Sequence, residues 1–439
     1  MRNTSHFVTA TSPRLLSVVV ILSIAGLVTG RAHSQDSVQL ESSKSNVDSE
    51  ESTATLRQRA DQLQRAITDL YSKGKHREAI AKAKQVAEIR RQLFGDDHPH
   101  YAASLNNLGE LHRAQAEYDE AKATFRQALR ILEKALGKDD PQYAFVLLNQ
   151  GLLCVDTADY EEATGHFDSA VSALKKGLGE NHPRYALALN NQGLLYRELG
   201  RLDRAESLYH QAAEIVQRSV GEQHPLYATT LNNLADIDQD RHEKARAESS
   251  YRKAAEIMKA AYGEDHSGYA MCLNNLADFY RDQGDFPKAE PLAIKAVEIL
   301  KRSLGKKHPH YAVAMTNLGR LYLANKDFSR AEPLLRDASD LLKKTVGPQH
   351  PWYASSRHRL GELYLAKGDQ GQAKQLLKDA LAVYERALGD NHPRLIEILT
   401  SYGRLLNQTG HEEEAKAVQN RVDGIRARVA SDKIEHVRR

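Results

Sequence analysis

The sequence predicts an all-α fold, a right-handed α-solenoid of about nine helix-turn-helix repeats. Three residue series predict it. Glycine recurs at Gly95, Gly137, Gly179, Gly221, Gly263, Gly305, Gly347 and Gly389, every interval being 42 residues. Alanine holds Ala121, Ala163, Ala205, Ala247, Ala289, Ala331, Ala373 and Ala415, and tyrosine recurs from Tyr101 to Tyr353 on the same period. No insertion or deletion breaks the register, and Gly74 and Ala79 extend it one repeat upstream. A fixed period of this length is the mark of stacked supersecondary units, each unable to bury its apolar faces alone.

Residues 1–34 stand apart. Arg2 and Arg14 precede the uncharged run from Leu15 to Val28, and Ala32-His33-Ser34 stands just before Gln35. A basic start, an apolar stretch and a small-residue cleavage pattern read as a secretory signal peptide. The apolar run falls short of the ~20 residues that cross a bilayer; the alternative is an uncleaved N-terminal membrane anchor. Residues 35–52 are rich in Ser, Asp and Glu, with little to bury, and read as a flexible polar spacer. The repeats then occupy 53–430, and 431–439 read as a polar tail.

Within a repeat, the residues from Gly95 show how two helices arise. His98-Pro99 opens the first, since proline suits a position whose N–H has no intrahelical partner. Ala102, Leu105, Leu108, Gly109 and Leu111 follow at helical spacing. After a turn, Ala121, Phe125, Ala128, Leu129 and Leu132 line one face of the second helix, which stops at Gly137. Gly109 and Ala121 are small where the two backbones approach, and Phe125, Phe167, Tyr209 and Tyr251 fill the spaces between.

The composition excludes several functions. The chain has 439 residues, 41% hydrophobic and 27% charged, with two cysteines and a formal charge of +3. That excess equals Arg2, Arg14 and Arg31, so the remainder is balanced and carries no electrostatic footprint for nucleic acid. Cys154 and Cys272 occupy different positions in distant repeats and read as buried thiols, not a disulfide. His98, His182, His224, His266, His308, His350 and His392 are one repeat or more apart, too far to share a metal, so they read as helix-start residues. No phosphate loop, nucleophile elbow or H-E-x-x-H motif is present. Nothing in the sequence implies a cofactor or an enzyme.

The patterns Leu318-Gly319-x-x-Tyr322, Leu360-Gly361-x-x-Tyr364, Ala121-x-x-x-Phe125 and Ala163-x-x-x-Phe167 resemble the tetratricopeptide repeat signature. The 42-residue period, the G-x-x-H-P-x-Y-A linkers and the N-N-L-G/A segments resemble the kinesin light chain variety of that repeat. The last two repeats depart from it, with Arg359 and Ser401 in place of asparagine and Leu395 in place of tyrosine.

That resemblance implies that the first helix of each repeat lines the concave face. Asn107, Asn149, Asn191, Asn233, Asn275 and Asn317 share one position there, preceded in several repeats by Asn106, Asn190, Asn232 and Asn274. An amide matches the donor and acceptor of a peptide backbone, so the ladder is the candidate peptide-binding surface. The alternative is that each amide bonds within its own or the next repeat. One turn on, Arg113, Arg197, Asp236, Asp278, Arg281 and Arg320 are the candidates for partner preference. With Asp240 and Asp282 they make the middle of the groove mixed in sign, its acidic residues suiting a peptide of basic character; the alternative is solvated surface charge. The expected function is a non-enzymatic protein-interaction scaffold of an exported protein (periplasmic, cell-surface or secreted), capturing an extended peptide or a partner helix. The alternative is a structural component of the cell envelope that self-associates. No nucleic-acid partner and no membrane span in the mature chain are expected.

Overall fold

The computed structural model describes residues 47–437 apart from 73–75, 116 and 158. The segment read as a signal peptide lies outside the described residues. Among the described residues the chain forms eighteen α-helices. They are α1 (Val47–Ser72), α2 (His76–Phe94), α3 (Pro99–Ala114), α4 (Tyr118–Leu136), α5 (Pro141–Asp156), α6 (Tyr160–Leu178), α7 (Pro183–Glu198), α8 (Leu202–Ser219) and α9 (Pro225–Asp240). There follow α10 (Lys244–Tyr262), α11 (Ser267–Asp282), α12 (Phe286–Ser303), α13 (Pro309–Ala324), α14 (Phe328–Thr345), α15 (Pro351–Lys367), α16 (Gln370–Leu388), α17 (Leu395–Gln408) and α18 (Glu412–Val437). These are the nine pairs that the period implies. Two ends differ from the sequence reading. Helix α1 starts at Val47, inside the segment read as a spacer, and α18 runs to Val437, through most of the segment read as a tail.

The described residues fall into two compact bodies. One comprises 47–153 with 165–179, the other 154–164 with 180–437. In both, hairpins stack on neighbours, and the larger body holds one continuous apolar cluster from Ala235 to Ile425.

The recurring histidine explains where first helices begin. At His98, His182, His224, His266, His308, His350 and His392, Nδ1 accepts the backbone N–H two residues on, at 3.0–3.1 Å. For the first six this is an N-cap side chain satisfying one of the helix's orphan donors, whereas α17 starts later, at Leu395, with Arg394 at its N-cap. In the repeat of α5, Asp140 does the same for the N–H of Gln142 at 2.7 Å. The eight periodic glycines all have φ between 80 and 91°, a left-handed conformation that ends the second helix cheaply.

Small and large residues pair across each hairpin. A Cβ at Gly109, Gly151 or Gly193 would come within 2.6–2.7 Å of the ring of Phe125, Phe167 or Tyr209. At Gly319 and Gly361 it would meet Leu335 and Leu377 at 2.7–2.8 Å. The repeat of α11 and α12 breaks this rule with Ala277 and Ala293. There a cavity with room for about one water molecule opens, lined by Asn274, Asp278, Arg281, Asn317 and Leu321.

Neighbouring repeats are also strutted by tyrosines. Tyr280 on α11 donates to Glu248 on α10 at 2.7 Å and accepts from Arg252 at 2.6 Å. Tyr364 on α15 repeats this with Glu332 and Arg336 of α14 at 2.9 and 2.5 Å.

Candidate interaction surface

First helices of successive repeats touch one another, α7 with α9, α11 with α13, α13 with α15 and α15 with α17. Such contact places them on the inside of the stack's curve. They are buried on nearly every side, and in α11 every residue from Gly268 to Arg281 is buried.

The structure changes the reading of the asparagines. Asn107, Asn149, Asn190, Asn191, Asn232, Asn233, Asn274, Asn275 and Asn317 are all buried, none more than 7% exposed. In the smaller body, Asn149 Nδ2 donates to Asn106 Oδ1 at 3.0 Å. In the larger, Asn275 Nδ2 donates to Asn232 Oδ1 at 3.4 Å, and Asn190 to Thr230 at 2.7 Å. Where the last repeats replace asparagine, His358 Nε2 and Ser401 Oγ meet at 3.1 Å in the same register. These are rungs between first helices of adjacent repeats. In these rungs the amides turn toward neighbouring helices, because two close-packed helices favour pairing of a polar group trapped between them. In this arrangement they lie buried between helices, where the sequence analysis expected an open face.

Charged residues one turn further on pair with each other. Arg197 meets Asp236 at 2.7 Å with both side chains buried, and Tyr251 also donates to Asp236. Arg281 pairs with Asp278 and Asp282, while Arg320 reaches Asp278 at 3.6 Å. Asp236 and Asp278 are each paired with an arginine, so the middle of the row is mixed in sign. Arg113 lies half-buried on α3 of the other body.

The row continues into the last repeats, where Arg359 and Ser401 stand in place of asparagine. Arg359 bridges Glu362 at 2.7 Å and Glu397 at 2.6 Å. Arg320 on α13 reaches Glu397 on α17, two repeats away, at 3.3 Å. Arg404 and the Ser401 hydroxyl complete the cluster on Glu362, at 3.4 and 2.9 Å. Burial alone would raise the Glu362 and Glu397 carboxyls. The Arg359 guanidinium overrides it and holds both well below the usual range, Glu397 at about 2. Burial, then the Arg320 charge, lowers Arg281 to about 10. Burial and Arg359 lower His358 to about 4, so it is neutral near pH 7.

Both cysteines are buried thiols outside any disulfide, as the sequence suggested. Among the described residues, no helix is long and apolar enough to cross a membrane.

Stacked amphipathic hairpins with a polar inner row define an α-helical repeat scaffold. The tetratricopeptide repeat model matches residues 62–134, 117–176, 142–212, 184–260, 245–290, 269–344 and 333–386, and the chain belongs to that family. Proteins of this family bind protein partners and serve as interaction scaffolds. A kinesin light chain structure from Podosopora anserina with nearly identical TPR-like repeats is 24% identical, over 47% of this chain and 97% of that one, with a TM-score of 0.38. BtubC (BKLC) from P. vanneervenii is 21% identical over 55% of this chain and 91% of its own, at a TM-score of 0.39. A Rap protein complexed with competence and sporulation factor is similar in fold over 86% of this chain and 99% of its own. Its TM-score is 0.64 at 14% identity. No curated protein matches the chain.

Proposed function

We propose that this chain is an exported, non-enzymatic scaffold that takes a protein segment along the inner row of its first helices. The charged cluster of α13, α15 and α17 carries the reading. Buried ion pairs contribute little net stability, and apolar residues of similar volume serve a core as well or better. A row of such pairs on the inner face therefore calls for a purpose besides folding. The cluster is also partly open to solvent: Arg320, Glu362, Glu397 and Arg404 side chains are 15, 17, 27 and 59% exposed. A partner carrying both signs of charge would exchange these internal pairs for its own. The ligand is an extended peptide or a helix, and the asparagine rungs hold the repeats in register beneath it.

The test is capture of partners by the purified mature chain, wild type against Arg404→Glu. Loss of a specific partner with unchanged circular dichroism supports the reading; equal capture contradicts it. Light scattering over a concentration series separates the alternative, since growing assemblies indicate a self-associating envelope component. Export predicts a mature protein whose N-terminal sequence begins at Gln35.

A further inference from the structure

The larger body carries contacts that its 42-residue period does not account for. His392 Nε2 meets the backbone carbonyl of Glu198 at 2.7 Å. His350 Nε2 meets the carbonyl of Asp156. Both pairs are 194 residues apart, so one geometry occurs twice, one repeat on. Beside them Arg394 binds the Glu198 carboxylate at 2.7 Å, both side chains largely buried. A Cβ at Gly200 would lie 2.9 Å from Pro393 Cγ, so the two loops are in contact. The linkers that open α15 and α17 thus sit on the ends of α5 and α7.

Capping sets the chemistry of this contact. Nδ1 of each histidine already accepts a backbone N–H, so the ring hydrogen resides on Nε2 and donates to the distant carbonyl. The contact is polar: two hydrogen bonds, one ion pair and a proline against a glycine. Adjacent repeats, in contrast, share a continuous apolar core. Polar interfaces within a chain part more readily than apolar ones.

We infer that these contacts form a clasp that closes the inner row, and that a partner enters only when the clasp parts. The inference rests on the reading of that row as the working surface. With the clasp shut, most residues of the inner helices are buried, and Arg320 spans two repeats to Glu397. Opening separates Asp156 and Glu198 from the linkers at His350 and His392 without unfolding any hairpin.

The test uses a thiol reporter on the full chain. Asn317 lines the interior cavity and its Nδ2 has no protein partner, so Asn317→Cys removes no hydrogen bond. Its reaction with Ellman's reagent reads access to the inner row, while buried Cys154 and Cys272 report global unfolding. In His392→Ala/Arg394→Ala the introduced thiol should react at least tenfold faster, with helicity and the native thiols unchanged. A lock is available too: the Cβ of a residue at Gly200 would lie 3.8 Å from Pro393 Cβ, within disulfide range. Oxidised Gly200→Cys/Pro393→Cys should slow the reporter at least tenfold, and reduction should restore it. Equal reporter rates in locked and reduced protein overturn the clasp, as does acceleration only in step with the native thiols. Should one pair of substitutions fail to fold, the other still decides. Neither result touches the Arg404→Glu capture test, so failure of the clasp and failure of the binding surface remain distinguishable.

Discussion

The backbone of Gly193 lies directly against the ring of Tyr209: a Cβ there would come within 2.6 Å of Tyr209 Cε1. The same fit recurs at Gly109 and Gly151, so in these three hairpins the close approach of the helices depends on a missing side chain facing a large one. Gly193→Ala should therefore destabilise the protein despite alanine's better helix propensity. The expected loss is about 1–3 kcal/mol, the range for overpacking a close-fitted core, read as a lower urea midpoint. The converse applies to the repeat of α11 and α12, where Ala277 faces Ala293. Ala277→Gly with Ala293→Leu would rebuild the pairing of Gly319 and Leu335. Added apolar burial of about 0.8 kcal/mol per methylene exceeds the ~1 kcal/mol that glycine costs a helix, so this double variant should melt higher than wild type.

The asparagine rungs should behave as couplings between repeats. Asn149→Ala strands the Asn106 oxygen in a buried site and should cost about 1–3 kcal/mol. A double-mutant cycle with Asn106→Ala should then return an interaction energy of about 0.5–1.5 kcal/mol. Strict additivity would mean that the rung is incidental.

Acid should loosen the protein through its capping histidines. Burial holds His350 and His392 down to about 4, and for His392 the Arg394 charge adds to it. A depressed histidine value means that the neutral form stabilises the fold. That stability is complete above the unfolded value of about 6.5 and is lost as pH falls through it toward 4. Urea midpoints should decline between pH 6.5 and 4, and less steeply in His350→Asn/His392→Asn, whose amides cap a helix without titrating. An equal slope in both proteins would show that other groups carry the acid response. The Glu362 and Glu397 contribution is lost lower, as pH falls from about 4.3 toward 2.

Two turn residues should be improvable. His242 and Lys326 adopt φ of 64 and 60° at the position that Gly200, Gly284, Gly368 and Gly410 hold in sister repeats. A non-glycine residue there carries a strain of about 1–2 kcal/mol, part of which glycine returns as a more flexible unfolded chain. Lys326→Gly should raise the thermal midpoint by a few degrees; a fall would show that the turn is not strained.

What the sequence revealed follows from the range of each contact. Helices, caps and the small-against-large pairing repeat within one 42-residue unit, so they are written in its period. Asp140, which caps α5 where other repeats use histidine, fits that local chemistry although the series itself skips it. The direction of the asparagines was not legible. An amide on a first helix can face solvent or the next helix, and only the close approach of neighbouring repeats decides. Arg359 and Ser401 stood out as departures, but their partners Glu397 and Glu362 emerge only when α13, α15 and α17 converge. The contacts of His350 and His392 were invisible for a different reason. An offset of 194 residues is no multiple of 42. It is set by small rotations accumulated over several repeats, which no single motif records.

The central claim is that the inner charged cluster exists for binding and not for stability. Replacing it with apolar residues of similar size tests this most directly: Arg320→Met, Arg359→Met, Glu362→Leu and Glu397→Leu together, with melting temperature and partner capture measured on one preparation. The expected result is a cooperatively folded protein, at least as stable as wild type, that no longer captures its partner. A stable variant that still captures the partner at the wild-type level would contradict the claim, as would a variant that unfolds because the ion pairs hold the fold.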